Sequence, residues 1–387
     1  MWYFLEIICK NGYRWLLLLA LCLQGCEDPS LPFDLQAVTF AELPGFQTEP
    51  LQEAWPVFMR SCEKIISLPQ DFVFLNGQKA APWAQVCQKA HSENPLTAVQ
   101  IKQFFQSHFT PYRVSALGKK TGLFTGYYEP QVLGSLSPSQ EYTVPLYKRP
   151  ADLVLVENLF VLRPDKPDYK GVRIAGRLQD GSLKPYYSRA EIENSRVLKG
   201  QELVWLADPI DAFFVQVQGS ATVMLPSGKT LRLAYAGTNG HPYTSLGSVM
   251  LAKKLLIKDE ITMQSIRAWL KNNISEARAL MQHNASFVFF KIIDGPGPLG
   301  GQDLILTPGR SLAIDPAFIA YGTPLWLTIQ GDAHQPALQR LVIAQDKGGA
   351  IKGGIRGDLF WGTGADAASK AGKMKATGTY YVLLPKK

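Results

Sequence analysis

Histidine and cysteine are both scarce, with five of each in 387 residues. None of His91, His108, His241, His283 and His334 has HExxH spacing, and no cysteine–histidine cluster exists, which argues against the usual metal sites. There is no P-loop, no GxSxG elbow and no repeat with a period of 20–50 residues. Charged residues reach only 19% against 46% hydrophobic, which excludes disorder or coiled coil as the dominant state. What is abundant is glycine and proline, 33 and 26 residues, which favours a turn-rich β architecture over a helical bundle. The length fits two domains. The net charge of +8 suits an anionic polymer, and nucleic acid, acidic lipid and cell-wall polymer all fit that description.

Lys10 and Arg14 precede an apolar run, Trp15 to Leu23, which is too short to span a bilayer and fits the core of a signal peptide. The run ends in Leu23-Gln24-Gly25-Cys26, which resembles a bacterial lipobox. That resemblance implies cleavage after residue 25 and lipid attachment to Cys26. Glu27, standing where an aspartate would retain the protein at the inner membrane, implies sorting to the outer membrane facing the periplasm. A plain secretory signal is the alternative. With Cys9 and Cys22 in the leader, Cys62 and Cys87 are the remaining free thiols. An oxidising periplasm would let them pair, and the sequence leaves open whether their Cα atoms are close enough.

Residues 26–50 read as a tether, since the stretch from 28 is Pro-rich and aperiodic. Leu51, Trp55, Phe58, Cys62 and Ile65 recur at helical spacing, as do Ile101, Phe104, Phe105 and His108, with His108 as a core histidine. From Gly122 to about Ala236 the pattern is strands and turns. Val215 and Val217 alternate with Gln216 and Gln218, which predicts a strand with both glutamines on one face, turning at Ser227-Gly228 into a second arm, Leu231 to Tyr235. Ser188 and Glu191 have capping-box spacing for a short helix. Residues 244–283 return to helix, with Ser275 as a cap. Short apolar runs at 287–293, 325–329, 341–344 and 380–384 suggest a small barrel.

Three aspartates stand in the last third. Asp346 closes the run Leu341-Val342-Ile343-Ala344 and opens the loop Lys347 to Gly353. Asp358 lies between Arg356-Gly357 and Leu359-Phe360-Trp361-Gly362, whose apolar cover would raise its pKa, as a second acid such as Asp346 would. A protonated carboxyl near neutral pH is what glycosidic cleavage needs. Asp315, before Pro316, fits a turn residue. The segment Gly295 to Gly301 looks like a phosphate loop, but Pro296 and Pro298 remove donors that a phosphate nest needs, so it reads as a crossing loop. Phe124-Thr125-Gly126-Tyr127-Tyr128-Glu129-Pro130 offers ring faces and hydroxyls suited to sugars, and Val217-Gln218-Gly219-Ser220 offers an amide and a hydroxyl.

Together with Tyr235 to Gly240, Asn284 to Phe290, Gln345 to Gly353 and Gly357 to Gly362, these segments resemble the membrane-bound lytic murein transglycosylase A family, in order, over roughly residues 110–385. The C-terminal part also resembles the domain named for three aspartates, here Asp315, Asp346 and Asp358. Ala221 departs from the family, which usually has glycine after the serine. The resemblance implies a mainly β fold with helices: a double-psi β-barrel domain from residues 51–129 and 251–387, an inserted second β domain at 130–250, and a glycan groove between them. It implies Asp358 as catalytic residue, Asp346 as support, and Thr125, Tyr128, Gln218 and Ser220 as sugar contacts. The implied partners are peptidoglycan glycan strands, the outer membrane through the lipid anchor, and other cell-wall enzymes, with no cofactor, metal or nucleic acid.

The implied reaction is non-hydrolytic cleavage between N-acetylmuramic acid and N-acetylglucosamine, leaving a 1,6-anhydro ring. Two rivals share these residues. A hydrolase would pair Asp358 with Asp346 or Glu129 and use water. A wall-binding lipoprotein would grip glycan without cutting it.

Overall fold

The computed structural model describes residues 33–94, 96–156, 174–331 and 336–386. The leader, Cys26 and His334 lie outside them.

A closed barrel of six strands organises the molecule. Going round it, Lys375–Pro385 neighbours Pro324–Ile329, then Leu338–Lys347, Ser311–Ile314, Arg356–Thr363 and Gly122–Glu129, which pairs back onto Lys375–Pro385. The interior is filled by Phe124, Leu312, Ile314, Leu325, Leu327, Val342, Leu359 and Val382, all at or near zero exposure. Each such side chain contributes about 1.5–3 kcal/mol of burial, and a ring of them fills the barrel. This is the mainly β barrel that the apolar runs predict, with one reassignment. Val288–Ile293 pairs with Thr230–Thr238 in a different sheet, so the second unit extends past residue 250.

That second sheet has six strands, ordered Val288–Ile293, Thr230–Thr238, Ser220–Met224, Gln131–Ser135, Glu202–Leu206 and Val144–Tyr147. A three-stranded sheet, Leu153–Val156, Ile174–Gln179 and Ser182–Lys184, lies beside it. Helices Pro209–Gln218, Leu246–Ala252, Met263–Asn272 and Ile274–Gln282 bury a shared apolar cluster around Phe213, Met250 and Leu270. Ser188 and Glu191 form the expected capping box. Asn273 rather than Ser275 precedes the last of these helices, so Ser275 sits inside its first turn.

The stretch 209–218 is helix, not the predicted strand. Asp208 caps it, Pro209 fixes the first turn, and Gly219 ends it at φ 80°. Four alternating residues are compatible with either period, and the two terminal signals decide the matter. On a helix, Gln216 and Gln218 point to different sides. Gln216 is buried and accepts from Arg189 Nη2 at 2.8 Å. The hairpin keeps its expected turn and second arm, but its first arm is Ser220–Met224.

Residues 33–50 are also not a tether. Asp34–Ala37 pairs with Phe109–Ser115, which in turn borders Lys375–Pro385. Leu43 and Phe46 are buried, Phe46 lies edge-on to Trp326, and the Trp326 indole donates to Pro44 O. Aperiodic chain can still bury apolar side chains when it crosses a preformed surface. Helices Trp55–Ile66, Ala81–Glu93 and Ala98–His108 form a layer on the same side of the barrel. Cys62 and Cys87 are disulfide-bonded, with Cα atoms 5.0 Å apart. His108 stacks on Phe104 at 4.6 Å.

Candidate active site

The strand register assembles the site. Asp358 lies opposite Thr125 in the parallel pair Arg356–Thr363 and Gly122–Glu129. On its other side Asp358 lies opposite Ala313, and Ala313 is opposite Asp346. The row Asp346, Ala313, Asp358, Thr125 therefore crosses four adjacent strands. Two strand spacings separate the acids, roughly 9–10 Å at Cα. Ala313, the residue between them, is small and buried. Close packing fixes the row from behind: a Cβ on Gly357 would stand 2.8 Å from the Phe124 ring.

The Thr125 hydroxyl donates to Asp358 Oδ1 at 2.6 Å and accepts from Arg356 Nη2 at 2.8 Å. A hydroxyl has one proton to give, so the Arg356 contact directs it towards Asp358. Asp358 Oδ2 accepts no hydrogen bond among the described residues, so a proton on this carboxyl belongs on Oδ2. Burial pushes the Asp358 pKa up to about 6. The Thr125 bond and the Arg356 charge oppose the rise, and the charge of Asp346 adds to it.

Asp346 is held differently. Oδ2 accepts from the Tyr127 hydroxyl at 2.6 Å, and Oδ1 accepts from the backbone N–H of Gly301 and of Lys347, each at 2.8 Å. Burial raises its pKa, and these three donors pull it back towards the anion. The Tyr127 ring lies 5.3 Å from Phe360, and its own pKa is pushed well up by burial and by the charge of Asp346. From the second unit, Tyr243 feels the charge of Asp358, after burial the next cause of its raised pKa. The next residue is pinned, Thr244 N–H donating to Asn284 Oδ1 at 3.0 Å.

Of the predicted residues, Thr125, Asp346 and Asp358 come together. Tyr128 does not join them. Strand alternation turns its ring to the opposite face, where it packs on Ala367 and Ala371. Its backbone N–H donates to Gln218 Oε1 at 3.1 Å, linking Gln218 to the barrel strand. Ser220, nearly buried, begins its strand just after Gly219. Asp315 is a pinning residue, accepting from Ala317 N–H and Gly353 N–H. Glu129 is fully buried and fully engaged: Oε1 accepts from Arg232, and Oε2 from Thr222 and Thr363. It joins the two sheets. Sequence reading missed Tyr127, Arg356, Gly301 and Tyr243. The crossing loop Gly295 to Gly301 carries one of these donors. Among the described residues no three His, Cys, Asp or Glu side chains converge on a cation site.

Residues 123–291 match the family model of the MltA specific insert domain, and residues 310–384 match the 3D domain. The membrane-bound lytic murein transglycosylase A of Escherichia coli K12 is 32% identical over 268 residues, an alignment spanning 67% of this chain and 65% of that relative. The crystal structure of the membrane-bound lytic murein transglycosylase from Agrobacterium tumefaciens superposes with a TM-score of 0.81 at 28% identity, covering 91% of this chain and 98% of that one. That of MltA from Neisseria gonorrhoeae gives 0.73 at 31% identity, covering 91% and 92%. The closed barrel, the inserted sheet and the aspartate row on the barrel strands define a barrel-and-insert protein with an acid site. The chain belongs to the membrane-bound lytic murein transglycosylase A family.

Proposed function

We propose that this protein cleaves the β-1,4 bond between N-acetylmuramic acid and N-acetylglucosamine in peptidoglycan without water, leaving 1,6-anhydro ends. The observation that carries this reading is Oδ2 of Asp358, which among the described residues accepts no hydrogen bond, whereas both oxygens of Asp346 and of Glu129 do. Glu129 has both oxygens occupied in a buried ion pair. Asp346 already accepts three hydrogen bonds. Both are committed to donors that hold the fold, which favours giving both proton steps to Asp358.

The protonated Asp358 Oδ2 gives its proton to the glycosidic oxygen as the C1–O bond breaks. Positive charge builds on the muramic C1, and the anionic Asp346 across Ala313 stabilises it. The Asp358 carboxylate then takes the proton of the same sugar's C6 hydroxyl as that oxygen bonds to C1. The acid is regenerated and no water is consumed. Tethering the attacking oxygen to the reacting sugar supplies the proximity advantage. Thr125 orients Asp358, and Tyr127 orients Asp346. Gln218 and Ser220, with Tyr243, which feels the charge of Asp358, supply sugar contacts from the second unit, while the Tyr128 backbone braces Gln218. The groove between the units, bounded by residues up to 129 and from about 294 on one side, holds the glycan. Cys26 carries the lipid that anchors the chain to the outer membrane.

Digestion of purified peptidoglycan in ¹⁸O-labelled water tests the reaction type. Released ends free of ¹⁸O are expected, and incorporation of one ¹⁸O per cut would establish hydrolysis instead.

A further inference from the structure

Beneath the acids lies a buried polar chain that the reaction does not touch. Gln345, fully buried and next to Asp346, donates through Nε2 to Val57 O at 3.2 Å and to Ser61 Oγ at 2.8 Å. Ser61, also fully buried, donates to Gln302 Oε1 at 2.9 Å. Gln345 Oε1 accepts from Ser311 Oγ at 2.7 Å, and Ser311 Oγ accepts from Thr307 N–H at 2.8 Å. Every donor points the same way, from Thr307 through Ser311, Gln345 and Ser61 to Gln302, so the chain has one consistent arrangement.

The chain ends at the loop that holds Asp346. Gln302 N–H donates to Gln345 O at 3.1 Å, and Gly301, one residue earlier, donates to Asp346 Oδ1. The loop runs tight against the strand: a Cβ on Gly300 would stand 2.5 Å from Gln345 O. Ser61 belongs to helix Trp55–Ile66, and the next residue, Cys62, is bonded to Cys87. The helical layer thus reaches the site through Ser61 and the two glutamines.

We infer that Gln302 and Gln345, fixed by Ser61, are positioning residues that set the Gly301 N–H against Asp346. The inference rests on the transglycosylase reading for its effect on rate. Buried polar groups joined in a network resist displacement because each unmade bond leaves an unpaired partner. Without Gln302 Oε1 as the terminal acceptor, the loop loses its tie to helix Trp55–Ile66 while keeping its backbone bond to Gln345 O, and the Gly301 N–H is held less closely against Asp346. A misplacement of about 1 Å costs up to about 100-fold in rate.

The test compares wild type, Gln302→Met and Ser61→Ala, using release of anhydro muropeptides against pH. Gln302 is only partly buried, so Gln302→Met keeps its size and the fold. The expected result is a kcat reduced about 10- to 100-fold with KM near wild type. The acidic limb should move to higher pH, because Asp346 loses a donor that favours its anion. Folded variants with wild-type kcat and an unmoved acidic limb overturn the positioning role while the parent reaction stands. Amide exchange at Gly301 reads the same role without activity. Faster exchange in Gln302→Met is expected, and unchanged protection overturns the role even if the wild type releases no anhydro product, the outcome that sinks the transglycosylase reading itself.

Discussion

The Thr125 hydroxyl donates to Asp358 Oδ1 across 2.6 Å, joining residues 233 positions apart on two parallel strands. Arg356, on the Asp358 strand, donates to the same hydroxyl and so fixes which way its proton points. The result is a carboxyl with one oxygen occupied and one available for proton transfer.

Activity that needs protonated Asp358 falls as pH rises through its folded pKa, about 6. The Thr125 bond favours the anion and holds that value down. Thr125→Val therefore moves the alkaline limb to higher pH, by about one to two units for a charge-assisted bond of 1.5–3 kcal/mol, while kcat drops from lost orientation. Thr125→Ser restores both. A limb that stays in place in Thr125→Val would separate Asp358 from that limb.

Tyr127→Phe removes one of the three donors to Asp346 without changing the ring. The Asp346 pKa rises, so on acidification the anion is lost at a higher pH. Rate profiles should show the acidic limb shifted upward and kcat lowered about 10-fold. Identical profiles would mean that Asp346 does not act as an anion.

How legible the site is in the sequence depends on chain distance. Asp358 is recognisable because its flanks, Gly357 and Leu359-Phe360-Trp361, are local and carry both close approach and apolar cover. Tyr127 and Tyr128 are neighbours of one chemical type, and only the strand's facing direction tells them apart. Arg356 gains meaning only when Gly122–Glu129 is laid beside it, and Gly301 contributes a backbone N–H that no side-chain pattern announces. The barrel was readable from its apolar runs. Residues 33–50 were not, because their burial against Trp326 has no periodic signature. The helix at 209–218 was legible from Asp208-Pro209 and Gly219, once end signals outweigh a short alternation.

The Cys62–Cys87 disulfide spans 25 residues of sequence and ties two helices of the outer layer. Replacing both cysteines with serine should lower unfolding stability by about 3 kcal/mol on the chain-entropy account. Urea melts of the oxidised wild type and the double variant measure this, and coincident midpoints would show that the helices are held by packing alone.

Glu129 and Arg232 form an ion pair 3.0 Å long, with the carboxylate fully buried between the two sheets. Arg232→Met leaves that carboxylate unpaired and should cost about 3–5 kcal/mol. Replacing both, Arg232→Met with Glu129→Gln, should recover part of the loss. A single variant as stable as wild type in thermal melts would remove this pair from the account of how the sheets are joined.

In the proposed reaction Asp358 alone supplies the proton and takes it back. The most direct measurement is the product mass from purified peptidoglycan treated side by side with wild type and Asp358→Asn, both lacking the leader. Wild type should release muropeptides lighter by one water than hydrolysed ones, and Asp358→Asn, folded to the same melting temperature, should release none. Muropeptides of hydrolysed mass from wild type, or anhydro products undiminished in Asp358→Asn, would contradict the account.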